Sequence, residues 1–154
     1  MLMLDEIKRR LPHRYPFLLI DRVLEIEEGQ SCTAIKNVTD TEIYFQGHFP
    51  GHPVLPGVLI LEAMAQAAGI AAYALESEVG SKLVLLAGID KARFKRPVVP
   101  GDQLRIEVDR VSHRMGLYVF NGKASVEGEL AARAEVRFVS VPKDAMGAGS
   151  PDAK

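Results

Sequence analysis

The chain has 154 residues, 47% of them hydrophobic, which fits a single domain with a sizeable core. Its 19 lysines and arginines nearly balance 20 acidic residues, and no segment concentrates the positive charge, which argues against a nucleic-acid partner. The one cysteine, Cys32, has no second thiol for a disulfide or a thiolate metal site, and its alternating strand context predicts a packed, unreactive thiol.

The N-terminal third predicts a short helix followed by a hairpin. Residues 3–10 form the helix, which Pro12 ends, and their charges follow the apolar residues, unlike a secretory signal, so we expect a cytoplasmic protein. The stretches Phe17 to Glu28 and Ser31 to Val38 are predicted to be paired strands joined by a turn. A polar, irregular segment then leads into a loop rich in glycine and proline.

A long apolar helix is predicted from Pro56 to about Ala74. Leu, Ile, Ala and Met occupy every face, with Glu62 and Gln66 as the main polar side chains, so the helix should be buried all round. It is long enough to cross a bilayer, but a carboxylate near its middle is costly in lipid. We therefore predict a core helix and no membrane association.

The rest of the chain predicts strands in succession, and the fold class is therefore α+β: an antiparallel sheet of five or six strands wrapped around one long central helix. One such sheet covers only part of an apolar helix, so we expect a second copy to cover the rest. The domain is predicted to span residues 1–141, followed by a disordered tail at 142–154 that is rich in Gly, Pro, Ala and charge. The predicted strands are Lys82 to Arg96, Gln103 to Ser112, Leu117 to Glu127 and Leu130 to Val141.

His48 is the first candidate catalytic residue. It stands between glycines in a loop with prolines at 50, 53 and 56, whose fixed φ angles stiffen the backbone. An imidazole on a rigid loop suits proton transfer, whereas a histidine taken alone is more often a surface residue. A zinc pair with His52 is disfavoured because Pro50 and Gly51 exclude a helix between them, so we predict no metal site.

Glu62 is the second candidate, because a carboxylate in so apolar a helix must be paired, protonated or functional. A protonated carboxyl suits a general acid; the alternative is a structural carboxylate bonded across a dimer or to buried water. Gln66, four residues on, shares the helix face and can orient the carboxyl group. Alone, Gln66 is more often a satisfied core amide.

Two weaker signals concern substrate binding. The helix begins at 56–58, where backbone N–H groups lack helical partners, and Gly57 has no side chain to block a carbonyl that approaches them. Arg93, Lys95 and Arg96 lie near a predicted strand end, where they could contact an acidic carrier domain or a phosphopantetheine phosphate, or form a solvated edge.

These segments together resemble the (3R)-hydroxyacyl-[acyl-carrier-protein] dehydratases of bacterial type II fatty acid synthesis, of the broad chain-length kind. The resemblance runs from about Leu11 to Val141. It is carried by LPHRYPFLLIDR at 11–22, GHFPG at 47–51, PGVL at 56–59, LEAMAQ at 61–66 and RFKRPVVPGD at 93–102. Two departures are His52, where relatives commonly have lysine or asparagine, and Leu85, where several have a tyrosine proposed to gate the acyl tunnel.

The resemblance implies a hot-dog fold whose dimer shares two active sites, often as a trimer of dimers. His48 is then the catalytic histidine, Glu62 of the other subunit the catalytic acid, and the Gly57 amide the donor to the thioester carbonyl. The partner is acyl carrier protein, whose phosphopantetheine carries the substrate, and no other cofactor is implied. The product trans-2-enoyl thioester enters fatty acid elongation and supplies acyl chains for lipid A precursors.

The same residues also bear on the subtype of dehydratase and on two alternative functions. The related dehydratase that isomerises the double bond has aspartate at the position of Glu62, so glutamate favours plain dehydration. One rival within the fold is an acyl thioesterase, in which the carboxylate activates water. The other is a non-catalytic acyl-carrier binding protein, against which the presence of both His48 and Glu62 speaks.

Overall fold

The computed structural model describes residues 1–75 and 81–146. Within these ranges the chain forms two α-helices and six strands, with short 3₁₀ helices at Ile43–Gln46, Tyr73–Leu75 and Lys143–Met146. In chain order the main elements are α1 (Leu4–Arg10), β1 (Arg22–Glu27), β2 (Ser31–Asn37), α2 (Gly57–Ala72), β3 (Lys82–Phe94), β4 (Gln103–Arg114), β5 (Leu117–Val126) and β6 (Glu129–Pro142).

The six strands form one antiparallel sheet in the order β1-β2-β4-β5-β6-β3, which confirms the predicted α+β class. The two tight hairpins of the C-terminal half turn at Met115-Gly116 and Glu127-Gly128. Both residues of each pair have positive φ, between 51° and 84°, the geometry that matches the twist of the flanking strands. β3 lies beside β6, at the opposite edge of the sheet from β1.

Helix α2 packs against the inner face of the sheet, and its buried residues form the centre of the core. Met64 lies so close to β5 that a Cβ at Gly122 would come within 3.0 Å of its sulfur. The segment Gly57–Leu75 is long and apolar enough to cross a membrane by length and composition alone, but 56% of its most apolar window is buried inside the fold. It is therefore a core helix.

One face of α2 is not covered by the described residues, as expected for a helix that a single sheet covers only in part. Val58 is 71% exposed, and Glu62, Ala65 and Gly69 follow it along the same stripe with partial exposure. The reason is geometric, because a single sheet can cover only one side of a helix. Since Val58 is apolar, this stripe is suited to being covered by another molecule.

The predicted first strand is shorter than expected, because residues 17–21 are not part of the sheet. The N–H groups of Phe17 and Leu18 donate to the carbonyl of Arg14 in a turn. The carbonyl of Phe17 and the N–H of Leu19 are bound by the side chain of Gln66, so neither can join a β-ladder. A side chain far away in sequence therefore holds Phe17 and Leu19 outside the sheet, and pairing with β2 starts at Asp21, whose N–H donates to the carbonyl of Ile35.

The predicted tail also begins later than expected. Pro142 is the last residue of β6, and Lys143–Met146 form a 3₁₀ helix whose first N–H donates to the carbonyl of Ser81. The rest of the predicted tail, residues 147–154, lies outside the described residues.

The two edges of the sheet differ in how they are protected. At the β1 edge, Leu2 forms an isolated antiparallel bridge with Val23. At the β3 edge, no strand among residues 1–75 and 81–146 pairs with the outer side of this 13-residue element. β3 also exposes a row of large apolar side chains: Val84, Leu85, Leu86, Ile89 and Phe94. A long apolar edge of this kind readily pairs with another strand.

Candidate active site

His48 lies half-buried in a loop that holds its ring in one orientation. Its Nδ1 is 2.6 Å from the carbonyl oxygen of Val54. A carbonyl only accepts hydrogen bonds, so Nδ1 carries the proton and the neutral ring has its lone pair on Nε2. The backbone of His48 is bonded on both sides, its N–H to the Tyr44 carbonyl and its own carbonyl to the N–H of Val54. The ring therefore presents a basic nitrogen from a fixed loop.

A buried polar cluster supports this loop from the preceding 3₁₀ helix. Lys36 is only 4% exposed, and its Nζ lies 2.9 Å from Glu42. Glu42 also accepts hydrogen bonds from the Tyr44 hydroxyl and the Thr39 N–H. Burial and the bond to Glu42 raise the pKa of Tyr44, so its hydroxyl remains a donor. The cluster fixes the segment whose Tyr44 carbonyl receives the His48 N–H.

Gly57 lines the same cavity as His48. It is the first residue of α2, with Pro56 as the N-cap rather than the first helical residue, so the Gly57 N–H has no acceptor within the helix. A Cβ at Gly57 would lie 2.8 Å from the ring of Phe94, which packs over the helix start. Glycine therefore allows both the close approach of Phe94 and access to the helix N-terminus.

Glu62 lies in a separate cleft of about 50 Å³ between α2 and β3, together with Gln66, Val84 and Leu86. Its side chain is 19% exposed, and its Oε1 accepts a hydrogen bond of 2.9 Å from Gln66 Nε2. The orientation of the Gln66 amide is unambiguous, because its oxygen accepts the Leu19 N–H at 2.8 Å. The predicted pairing of Gln66 with Glu62 is present in the structure.

His13 is a neighbour of Glu62 that was not singled out as a site residue from the sequence. Its Nε2 lies 3.3 Å from Glu62 Oε1, and its side chain is 24% exposed. The only sequence signal was its place in the LPHRYPF segment, since 49 residues separate it from Glu62 and no periodic pattern links them. The bond between His48 and the Val54 carbonyl could not be predicted from residue types, because a backbone carbonyl is present at every position.

The two predicted catalytic side chains line different cavities within one chain. His48 and Gly57 belong to the cavity beside Phe94, at the C-terminal end of β3. Glu62 belongs to the cleft beside Val84 and Leu86, near the N-terminal end of that strand. Among the described residues, His48 and Glu62 therefore share no cavity, and the titratable side chain next to Glu62 in its own cleft is His13.

The three cations predicted as a possible carrier contact do not share one surface. Arg93 lines a shallow groove on the outer face of the sheet, whereas Lys95 and Arg96 line the cavity of His48. Arg96 is paired with Asp102 and Glu129, at 3.7 and 3.4 Å. Lys95 is exposed beside the cavity entrance.

Cys32 is buried at 2% exposure, and this burial raises the pKa of its thiol to about 12. A thiol so far from ionisation is a poor nucleophile, which confirms the prediction of a packed, unreactive residue. Within the described ranges, no group of three or more His, Cys, Asp or Glu side chains is arranged to hold a metal ion.

Comparison with known proteins identifies the relatives of this chain. The family model of the FabA-like domain matches residues 11–135. The 3-hydroxyacyl-[acyl-carrier-protein] dehydratase FabZ of Geotalea uraniireducens is 55% identical over 141 residues, which cover 91% of this chain and 97% of that protein. The protein of the same name from Shewanella denitrificans is 60% identical over 135 residues, covering 86% and 88%.

Solved structures share the fold at low sequence identity. The dehydratase heterocomplex ApeI:P from Xenorhabdus doucetiae matches with a TM-score of 0.77 at 22% identity, covering 91% of this chain and 93% of that one. A hypothetical thioesterase with coenzyme A from Streptococcus pneumoniae matches with a TM-score of 0.59 at 10% identity, covering 79% and 85%. These likenesses confirm the hot-dog fold.

Proposed function

This chain belongs to the FabA-like family and is a 3-hydroxyacyl-[acyl-carrier-protein] dehydratase of fatty acid biosynthesis, and we propose that His48 and Glu62 carry out its reaction. The observation that supports the role of His48 most directly is the bond from Nδ1 to the Val54 carbonyl, which leaves Nε2 as the free base. The substrate is carried by the phosphopantetheine of acyl carrier protein, and the proposed chemistry needs no further cofactor.

The proposed mechanism is a base-assisted elimination of water. The thioester carbonyl accepts a hydrogen bond from the Gly57 N–H, which stabilises the enolate that develops as His48 Nε2 takes the proton from C2. The C3–O bond then breaks, and Glu62 gives its proton to the departing hydroxyl group. Water and a trans-2-enoyl thioester result, and transfer of a proton from His48 to Glu62 restores the starting state.

The free edge of β3 supports a homodimer in which the two cavities combine. If two copies of β3 pair antiparallel about a twofold axis, the Phe94 end of one strand meets the Lys82 end of the other. The cavity containing His48 and Gly57 then faces the cleft containing Glu62 of the second copy. The pairing also covers the exposed apolar side chains of β3 and the open stripe of α2.

A basic rim at the mouth of the Glu62 cleft supports binding of the acidic carrier. A second cavity of about 180 Å³ shares Gly69 and Val84 with the cleft and opens between α1 and the start of β3. We define the basic rim as Lys8, Arg9, Lys82 and Lys143, which surround that opening. In the proposed dimer, the Phe94 end of the second copy's β3 lies beside the basic rim of the first copy. Lys95 of the second copy therefore adds its charge to the same surface as Lys82 of the first.

The higher assembly and the wider metabolic role are extensions of this proposal. Hot-dog dehydratases are oligomeric, and a trimer of dimers is the form proposed here. We also propose that the enzyme acts in the cytoplasm and supplies acyl chains to lipid A precursors, since its substrates are carried by a soluble carrier protein.

A direct assay distinguishes dehydration from the two rival functions. Purified protein mixed with 3-hydroxybutyryl carrier protein is expected to form the crotonyl thioester, seen as absorbance of the conjugated enoyl group, without release of free thiol. A thioesterase instead releases thiol that reacts with a disulfide reagent. A non-catalytic carrier-binding protein gives neither signal on any chain length. Either of those two results would contradict the proposed function.

Charge reversal in the basic rim tests where the carrier binds. The variant carrying Lys8→Glu and Lys143→Glu is expected to raise KM for the carrier-bound substrate about tenfold, because it removes attraction to an acidic partner. KM for the 3-hydroxybutyryl thioester of N-acetylcysteamine, which lacks the carrier and the phosphate, should not change. Lys123→Glu, on the outer face of the sheet beside Glu107, is the matched control. If activity on both substrates falls by the same factor, the two substitutions affect folding or the chemical step and not carrier binding.

A further inference from the structure

The carboxyl group of Glu62 has two oxygens in different surroundings. Oε1 receives Gln66 Nε2 at 2.9 Å and lies 3.3 Å from His13 Nε2, so both neighbours approach the same oxygen. Among the described residues, Oε2 accepts no hydrogen bond. We propose that His13 is a positioning residue that, together with Gln66, fixes Oε1 as the acceptor oxygen, so that Oε2 carries the transferable proton. This inference rests on the proposed role of Glu62 as the acid.

The hydrogen-bond partners of Gln66 decide which oxygen can hold the proton. Its amide oxygen accepts the Leu19 N–H, so its nitrogen must be the donor to Phe17 and to Glu62. Oε1 therefore accepts a hydrogen bond, and a proton on Glu62 belongs on Oε2. A neutral His13 can approach Oε1 only as a donor from Nε2, which lies 3.3 Å from that oxygen. Contacts of this kind are often long before substrate binds and shorten in the reacting complex.

The surroundings of the other ring nitrogen of His13 agree with a proton on Nε2. Its Nδ1 is buried and has no hydrogen-bond partner within the described ranges, so no acceptor there holds a proton on that nitrogen. The ring itself is held in place through its backbone, because the Arg14 guanidinium donates to the carbonyls of His13, Leu11 and Lys8, at 2.6, 2.8 and 3.1 Å. The Phe17 ring stacks against it with centroids 6.3 Å apart.

The nearby arginines are bound to other groups, which leaves His13 as the ring donor that faces Glu62. Arg10, which lines the same cleft, forms two hydrogen bonds with Glu28 at 2.6 and 2.7 Å. Arg14 is directed to backbone carbonyls. The loop at residues 11–19 is thus tied to α1 by Arg14 and to α2 by Gln66, and it presents His13 to Glu62 between these two anchors.

The test is a double-mutant cycle between His13 and Glu62, read as kcat and KM on the carrier-bound substrate. His13→Phe keeps an aromatic ring beside Phe17 but removes the donor, and we expect kcat to fall about tenfold with KM unchanged. In the Glu62→Gln background the same change should cause no further loss of kcat, because the two residues act as one unit. His113→Phe is the matched control, since that ring stacks on Tyr118 away from the cleft.

A second pair of variants separates positioning from folding. His13→Gln can place an amide nitrogen where Nε2 lies and should retain most of the wild-type kcat, whereas His13→Asn is too short to reach Oε1 and should lose about tenfold. The role of His13 is refuted if His13→Phe and Glu62→Gln reduce kcat independently, or if Asn and Gln behave alike. An inactive wild type would instead refute the proposed function, so the two failures are distinguishable.

Discussion

His48→Ala is expected to lower kcat by about 10²–10⁴-fold, the contribution typical of a positioned general base, while KM changes little. The expectation follows from the ring geometry, because the Val54 carbonyl holds the Nδ1 proton and leaves only Nε2 to accept the C2 proton. The imidazole does not bind the thioester carbonyl in the proposed mechanism, so substrate affinity should be retained. The measurement is the initial rate of enoyl thioester formation across a range of substrate concentrations.

His52→Ala is the matched control, since it removes an exposed histidine four residues away in the same loop. We expect it to retain wild-type kcat and to unfold at the same temperature as His48→Ala. If His48→Ala keeps more than about a tenth of the wild-type kcat, the base must be another group, because loss of a general base produces larger effects. If His52→Ala is equally impaired, the loop as a whole, and not the ring of His48, is required.

Much of the fold was predictable because it depends on local sequence signals. The hairpins of β4, β5 and β6 are separated by Met115-Gly116 and Glu127-Gly128, and glycine at the second position suits the positive φ of such turns. The long run of apolar residues without strand-like alternation predicted α2 to within two residues at its C-terminal end. Glu62 stood out because a charge in such a run demands an explanation.

The strand limit that was wrong, and the features that were not predicted, involve contacts between distant parts of the chain. Nothing in residues 17–21 indicates that Gln66 will take their backbone groups, so the run of Phe, Leu and Ile was predicted to be strand. The placement of β3 at the sheet edge beside β6 likewise depends on the whole topology. His13 reaches Glu62 only because Arg14 and Gln66 fold the intervening loop back onto α2.

The separation of the two cavities explains why the sequence pattern alone is an incomplete description of the site. His48 and Glu62 are 14 residues apart in the chain, and a helix start between them turns their side chains into different cavities. The carboxyl group of Glu62 is 19% exposed in a cleft that also contains His13 and Gln66, and His48 lies in another cavity of the same chain. The unpaired β3 edge offers the means of joining them.

Mixing two inactive variants is expected to restore activity if the site is shared between subunits. A pair formed from one His48→Ala chain and one Glu62→Gln chain contains one site with both wild-type residues and one site with neither. Random reassociation of equal amounts should therefore give about a quarter of the wild-type activity, since half of the dimers are mixed and each has one intact site. The two variants are to be unfolded together, refolded together and assayed for enoyl thioester formation.

Two controls make this result specific to a shared site. Each variant carried through the same refolding alone should stay inactive, and a doubly substituted chain mixed with either single variant should restore nothing, because no pair then contains both residues in one site. A change that blocks pairing at the β3 edge, such as Val84→Pro, should abolish restoration. In the β3–β6 register the backbone N–H of Val84 points to the outer side of the strand, and proline removes that donor. If the two single variants are reassociated into mixed dimers, shown by differently tagged chains, and remain inactive, then His48 and Glu62 do not act across the interface.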